Sequence, residues 1–219
     1  MTNNIKLQEV CKQLHIPVVG TTSWPLPIEA REILQESNPC PFTAADIDER
    51  LIGTTDFMPH SAIVCLFPYH MPHEGPTNLS RYTWATDYHL VVTDYLQRLV
   101  DELKTTAPDA SFSIHCDTSP LADRYMAYLA GLGFYGKNKC FINPTWGSYI
   151  VIGTVLTTLE FESNTPMTDT CMGCNRCITS CLGQCLNGNA FNYATCKSYL
   201  TQKKGDLTND EQAIIRKSP

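Results

Sequence analysis

Apolar and polar positions alternate between helical and strand spacing through the first 160 residues, and then the pattern stops. IKLQEVCKQL has the spacing of a short amphipathic helix, and IPVVG after it reads as a strand. Residues 21–58 are Pro-rich and irregular, with short helices expected around Ile28–Leu34 and Ala45–Leu51. Ala62–Pro68 (AIVCLFP) is a short apolar run of the kind that forms a buried strand. HMPHEGPTNLS, from His70, carries the Pro, Gly and Asn of a loop. From Tyr82 to about Leu103 comes the longest helical pattern, in which Tyr88, Val92, Tyr95, Leu96, Leu99 and Leu103 recur at three and four. Ser111–Cys116 alternates like a strand, and Pro120 is expected in the first turn of a helix ending near Ala130–Gly133. Cys140–Asn143 and Ser148–Leu159 read as two strands joined by a turn at Pro144–Gly147. This order predicts a layered α/β or α+β domain over residues 1–162. SNTPMTDT then reads as a linker to a small cysteine-rich module over residues 163–219.

Composition narrows the class. The 219 residues carry 16 Lys plus Arg against 22 Asp plus Glu, a net charge of −6, so no general nucleic-acid surface is advertised. Charged residues make up 17%, below the roughly 25% usual for soluble domains, and mean hydropathy is −0.17. A folded, compact chain is expected rather than a solvated tail. There is no run of about 18 apolar residues to span a membrane. The opening MTNNIKLQEVCKQLH lacks the apolar segment of a signal peptide, so a cytoplasmic location is expected.

Cysteine changes the picture most. Of 11 cysteines, Cys11, Cys40, Cys65, Cys116 and Cys140 are scattered singly, whereas six fall between 171 and 196. An odd total without a secretory signal argues against a disulfide framework. Cys171-x2-Cys174-x2-Cys177-x3-Cys181 has the spacing of a bacterial ferredoxin, in which three thiolates on a tight loop cap one 4Fe–4S cube and the fourth serves another. Zinc, which prefers two separated CxxC pairs, and a reduced structural cluster are the alternatives. Two cubes need eight thiolates, and this stretch holds six. Cys185 is unassigned and could fill one gap in the ligand set, and Leu182 stands where a proline usually follows the fourth cysteine. DEQAIIRKSP reads as a helix cut short, so a truncated chain is expected.

Three phrases upstream are richer in charge and glycine than packing requires. Ser80-Arg81-Tyr82 leads into Asp87-Tyr88-His89; Asp117-Thr118-Ser119-Pro120 leads to Arg124; and Gly131–Gly136 runs into Lys137, Asn138 and Lys139. Each also has a purely structural reading. Asp117 can cap the helix at Pro120 with Arg124 as its surface partner, His89 can be an ordinary helix side chain, and the glycines can be a C-cap and a turn. The glycine run lacks the spacing of a phosphate loop.

In register, SRY…DYH, DTSPLADR, AGLGFYGKN, the turn at Gly147-Ser148, CMGCNRCITSC and CKSYLT closely resemble the epoxyqueuosine reductase family, over about Arg81 to Gly205. The resemblance implies a nitroreductase-like domain that binds cobalamin, followed by a ferredoxin-like module with two 4Fe–4S clusters, here with an incomplete ligand set. It implies an oxidoreductase that reduces epoxyqueuosine to queuosine in tRNA, with electrons from a donor such as flavodoxin or ferredoxin. Asp117 matches the family's proton-donating aspartate. Arg81, Tyr82, Asp87, His89, Arg124, Lys137, Asn138, Lys139 and Ser148 match stretches that line the corrinoid. Cys171, Cys174 and Cys177 match ligands of one cluster, and Cys181 and Cys196 match ligands of the other. An acid must keep its proton at neutral pH, so burial is expected to raise the pKa of Asp117, with Arg124 turned toward a phosphate or propionamide instead. Alternatives are a corrinoid reductase acting on a small molecule, a ferredoxin-like electron carrier, and a zinc-stabilised binding module.

Overall fold

Strand β2 (Ser61–Pro68) is apolar at successive positions because it is buried on both faces. Ile63 and Cys65 face one layer of helices, Ala62, Val64 and Leu66 face another, and all five are fully buried. In this computed structural model every residue is described except 1–2, 37–39, 44–45, 54, 73–78, 188–189 and 218–219. The central sheet runs β1 (Val18–Ser23), β2, β6 (Ile150–Thr157), β3 (Phe112–Cys116), and every neighbouring pair is antiparallel. An antiparallel sheet with one wet face shows an alternating pattern. Here both faces are covered, so the inner strands read as continuous apolar runs.

One face packs α1 (Asn3–Gln13) and α4 (Tyr88–Lys104), through Leu7, Val10 and Cys11 on the first and Val92, Leu96 and Leu99 on the second. The other face packs α2 (Ile28–Glu36), α3 (Ile47–Ile52) and α5 (Asp123–Leu129), with Trp24, Leu51 and Met126 at the centre. Helix α4 lies so close to β6 that a Cβ on Gly153 would stand 2.7 Å from Val92 and 2.9 Å from Leu96.

The expected elements at α1, β1, α2, β2 and β3 are present. The predicted short helix at 45–51 is α3, with Ala45 outside the described residues, as is much of the loop from His70. Three expectations are corrected. The long helical pattern from Tyr82 splits into a 3-10 turn (Arg81–Trp84) and α4, because the Asp87 carboxylate accepts the His89 N–H at 2.9 Å and starts the helix there. Pro120 is not in the first turn of a helix. Helix α5 begins three residues later with Ala122 before it, and Asp117 is no cap but a left-handed residue, φ +59. The strands at 140–143 and 148–159 do not form a hairpin. β5 (Phe141–Ile142) pairs with β4 (Phe134–Tyr135), and only an Asn143–Gly147 bridge closes the following turn. Asn143 explains this. Its amide donates to the Leu132 carbonyl at 2.7 Å and accepts the N–H groups of Thr145 and Trp146, which redirects the chain into the central sheet.

Residues 162–164 run beside β1 and cover that sheet edge. Thr21 N–H donates to Asn164 at 2.7 Å, the Thr21 hydroxyl to the Glu162 carbonyl at 2.7 Å, and Ser23 N–H to Ser163 at 2.8 Å. Beyond residue 170 the elements are short: α6 (Arg176–Thr179), β7 (Leu186–Asn187) paired with β8 (Ala190–Phe191), a 3-10 turn (Tyr193–Thr195), α7 (Lys197–Leu200) and α8 (Asn209–Arg216), which a Thr208–Glu211 capping box starts. Among the described residues no helix is long and apolar enough to cross a membrane.

Leu96, fully buried where α4 meets the sheet, sets the cost of disturbing this packing. Leu96→Ala is expected to lower stability by about 2–5 kcal/mol, measured as a lower urea midpoint with an unchanged denaturant slope.

Candidate functional site

The first turn of α4 and the end of β3 meet at Asp117. The left-handed backbone of Asp117 turns its carboxylate back toward α4. There Oδ2 accepts the Tyr88 hydroxyl at 2.5 Å and lies 3.3 Å from His89 Nε2. His89 Nδ1 is 2.8 Å from Asp87, so the imidazole bridges two carboxylates. Hydrogen bonding to Asp87, with the nearby charges of Asp87 and Asp117, holds the His89 pKa above its ordinary value. Burial and the bond to Asp117 push Tyr88 far up, so its hydroxyl stays protonated and donates at any physiological pH.

Aromatic side chains surround this group. Tyr88 stacks on His89 with centroids 4.1 Å apart, Tyr82 meets Tyr88 edge-on, and Tyr69 meets both Tyr82 and Tyr149 edge-on. Arg81 donates to His70 Nε2 at 2.7 Å and to the Met71 carbonyl at 2.9 Å, and its guanidinium lies 5.6 Å from the Tyr149 ring centroid. Tyr82 and Tyr149 remain 44% and 40% exposed, an open aromatic wall of the sort that receives a flat ligand. Ser148 is exposed at the entry to β6, beside Tyr149. A cavity of about 470 Å³ lies next to the wall, lined by His89, Gln97, His115, Cys116, Thr118 and Ser119.

A second group joins this site to the cysteine module. Arg124 donates to the Lys139 carbonyl at 2.7 Å, which fixes the Lys137-Asn138-Lys139 turn. Asn138 accepts the Cys140 N–H, and Lys139, left-handed at φ +63, donates its N–H to Gly136. Lys137 N–H points at the Cys171 sulfur at 3.3 Å, and its ammonium donates to Asn175 at 2.8 Å. The Cys140 thiol, raised chiefly by burial, also feels Cys177.

One expectation is corrected here. Asp117 is not buried: its side chain is 60% exposed, because its turn lies beyond the end of the strand and outside both cores. Arg124 uses one N–H group on the Lys139 backbone carbonyl. The acid that burial does shift is Asp123. Desolvation and the charge of Asp117 push it up to about 7, against the pull of Arg124. Sequence reasoning passes over Asp123, Tyr69, His70 and Tyr149; an aspartate opening a helix and aromatics after a strand give no distinctive spacing.

The cysteines are all free thiols. Among the described residues no three His, Cys, Asp or Glu side chains gather about a single metal-ion position. The donors nonetheless suit a multi-iron cluster. Backbone N–H groups of Cys185, Leu186 and Gly183 and the Cys185 thiol hold the Cys181 pKa below its ordinary value although burial opposes them, and N–H donors to sulfur are what tune cluster thiolates. The module's core also calls for something beyond apolar packing, since Cys185 and Leu200 are its only buried hydrophobic residues among those described.

Comparison with known proteins places these groups in a family context. Residues 57–118 match the family described as Epoxyqueuosine reductase QueG, DUF1730. The epoxyqueuosine reductase of Bacillus subtilis is 31% identical over 225 residues, covering 96% of this chain and 58% of that protein. The Bacillus cereus relative is 38% identical over 131 residues, 59% of this chain and 34% of its own. Among solved structures, epoxyqueuosine reductase from Streptococcus thermophilus superposes with a TM-score of 0.82 at 26% identity, covering 96% of this chain and 60% of that one. A second, crystallised with an epoxyqueuosine-modified tRNA-Tyr stem loop, gives 0.80 at 29% identity, covering 94% of this chain and 59% of that one. A catabolic reductive dehalogenase shares the fold alone, with a TM-score of 0.61 at 14% identity over 83% of this chain and 25% of that one. The chain therefore spans about 60% of the length of the solved reductases.

The raised Asp123 gives a pH-dependent prediction. Its folded pKa of about 7 exceeds the ordinary 3.8, so folding is penalised as pH rises through that window and not below it. Asp123→Asn is expected to gain more stability at pH 8 than at pH 5, by about 2 kcal/mol, read from urea midpoints at the two pH values. His89, also raised, gives the same direction from a favourable contact: its stabilisation is present at low pH and is lost as pH rises through the folded pKa. Asp87→Asn is expected to move its titration downward, followed by the ring-proton NMR signals.

Proposed function

As the chain belongs to the epoxyqueuosine reductase family, we propose that it is a cobalamin-dependent iron–sulfur oxidoreductase acting on epoxyqueuosine in tRNA, with Asp117 as proton donor. The observation that carries this reading is the Asp117 carboxylate, turned out of β3 and held on one oxygen by Tyr88 and His89 at the foot of an open aromatic wall. Residues 1–162 are taken as the nitroreductase-like domain and 163–219 as the ferredoxin-like module. Bound cobalamin would supply the electron-pair chemistry at the epoxide, fed through 4Fe–4S clusters on Cys171, Cys174, Cys177, Cys181 and Cys196 from a carrier such as flavodoxin or ferredoxin.

The exposed aromatic wall suits a flat macrocycle: Tyr82 and Tyr149 would offer rings to a corrinoid, and Arg81, Ser148 and the Lys137–Lys139 turn would offer polar groups to its amides. Removing the oxygen of an epoxide takes two electrons and two protons and releases water, so more than one proton source is needed. Asp117 would give one, His89 could recharge it through their 3.3 Å contact, and Asp123, pushed up to about 7 by burial and by the charge of Asp117, would be a third acid. Tyr88 orients the carboxylate rather than ionising. The family's tRNA-bound relative supports a tRNA substrate, which a cytoplasmic enzyme would meet. The net charge of −6 means that any grip on phosphates comes from local basic side chains.

The test is an anaerobic cobalamin titration followed by absorbance, paired with turnover of an epoxyqueuosine-bearing tRNA stem loop. Asp117→Asn is expected to bind cobalamin as the parent does while losing at least about 100-fold in turnover. Retained turnover would remove Asp117 from the proton-donor role. Absence of cobalamin binding with iron present would favour the electron-carrier reading.

A further inference from the structure

Cys185 has no part in the proposed ligand set, yet its sulfur lies against that of a proposed ligand. Its sulfur lies 3.3 Å from the Cys181 sulfur, and its own backbone N–H points at the same atom, also at 3.3 Å. The turn between them is tight: Gln184 N–H bonds the Cys181 carbonyl at 3.0 Å, and Gln184 is left-handed at φ +51. Gly183 within the turn presses on the neighbouring backbone so closely that a Cβ there would stand 1.7 Å from the Thr195 carbonyl oxygen. That contact sets the residue before Cys196 against the turn, and Cys196 adds to the upward push on the Cys185 thiol.

A 3.3 Å separation is a specific distance. Thiolates bound to separate irons of one cube are held well apart by the cluster, and two thiolates on one tetrahedral metal with bonds of about 2.3 Å would be about 3.8 Å apart. The Cys181–Cys185 pair is closer than either arrangement and about 1.3 Å from the 2.05 Å of a disulfide. We propose that Cys181 and Cys185 are an oxidisable dithiol, a modification site at which a disulfide-class oxidant such as glutathione disulfide closes a Cys181–Cys185 bond. The partly exposed Cys181 thiolate attacks one sulfur of the oxidant and the departing thiolate takes a proton. The buried Cys185, as its thiolate, then attacks Cys181 and expels the second thiol. Two protein thiols and one external disulfide become one protein disulfide and two external thiols, so electrons and protons balance.

A bond across so short a loop removes little entropy from the unfolded chain, so its role is chemical rather than structural. Its consequence rests on the proposed ligand role of Cys181: the same sulfur cannot hold iron and Cys185 together. Oxidation and cluster assembly therefore exclude one another at this position.

The experiment treats the anaerobically purified full chain with glutathione disulfide, alkylates the remaining thiols and maps the links by peptide mass spectrometry. A Cys181–Cys185 link is expected in the parent and in Cys196→Ser. In Cys185→Ala it is expected to be replaced by a single glutathione adduct on Cys181. A dominant link to any other cysteine, or no link, would overturn the pairing. In parallel, reduced and oxidised protein are incubated with ferrous iron and sulfide and the bound iron is counted. The reduced form is expected to load iron, and the oxidised form only after treatment with dithiothreitol. Equal loading of both would overturn the exclusion. A mapped link with no loading of either form would leave the pairing intact and remove the ligand role of Cys181.

Discussion

The packing of α4 against the central sheet is the constraint on which the rest depends. Gly153 lets the helix approach β6 to within contact of Val92 and Leu96, and the buried row Val92, Leu96, Leu99 and Leu103 fixes its rotation. With rotation and approach set, the cap residue Asp87 and the next two side chains fall at one place, beside the end of β3. The contacts of Tyr88 and His89 with Asp117 are thus a consequence of core packing. This places a turn residue against a rigid element, the usual way a fold positions chemistry.

Three carboxylates, Asp87, Asp117 and Asp123, crowd this corner with Arg124 as the nearby cation, and its guanidinium donates to the Lys139 carbonyl. The excess negative charge is met by protons. They reside on the His89 ring, on the Tyr88 hydroxyl and, near neutrality, on Asp123. A corner so arranged holds protonated groups close together while the Asp117 side chain stays 60% exposed.

The buried strands and amphipathic helices are legible in the sequence because each carries its period over many residues: AIVCLFP is β2, and the Tyr88–Leu103 stripe is α4. The site's charged phrases are legible too, and Arg81, Tyr82, Asp87, His89 and Asp117 do come together. What stays hidden is decided by single contacts that leave no period. The Asn143 side chain turns an apparent hairpin into a strand of the central sheet. The left-handed conformation at Asp117 displaces the start of α5, and Ser163 and Asn164, the first residues of the expected linker, are tied to Ser23 and Thr21. Burial of Asp123 likewise depends on residues far from it in sequence.

The glycine-rich turn after α5 ties these parts into one system. Arg124, next to Asp123 in sequence, holds the turn by the Lys139 carbonyl, and two residues earlier the same turn places the Lys137 N–H on the Cys171 sulfur. A turn of three residues thus spans the distance between the carboxylate corner and the first thiol of the cysteine run. The backbone donor on that sulfur joins the first thiol of the cysteine run, through one hydrogen bond, to the segment that Arg124 anchors. The glycines let the chain make this approach. Gly133 and Gly136 pack their Cα atoms where a Cβ would stand 2.2 Å from the Ile142 carbonyl oxygen and 2.5 Å from the Asn138 side chain, respectively. The connection between the thiol module and the acid corner therefore depends on backbone proximity, which larger residues in the turn would prevent.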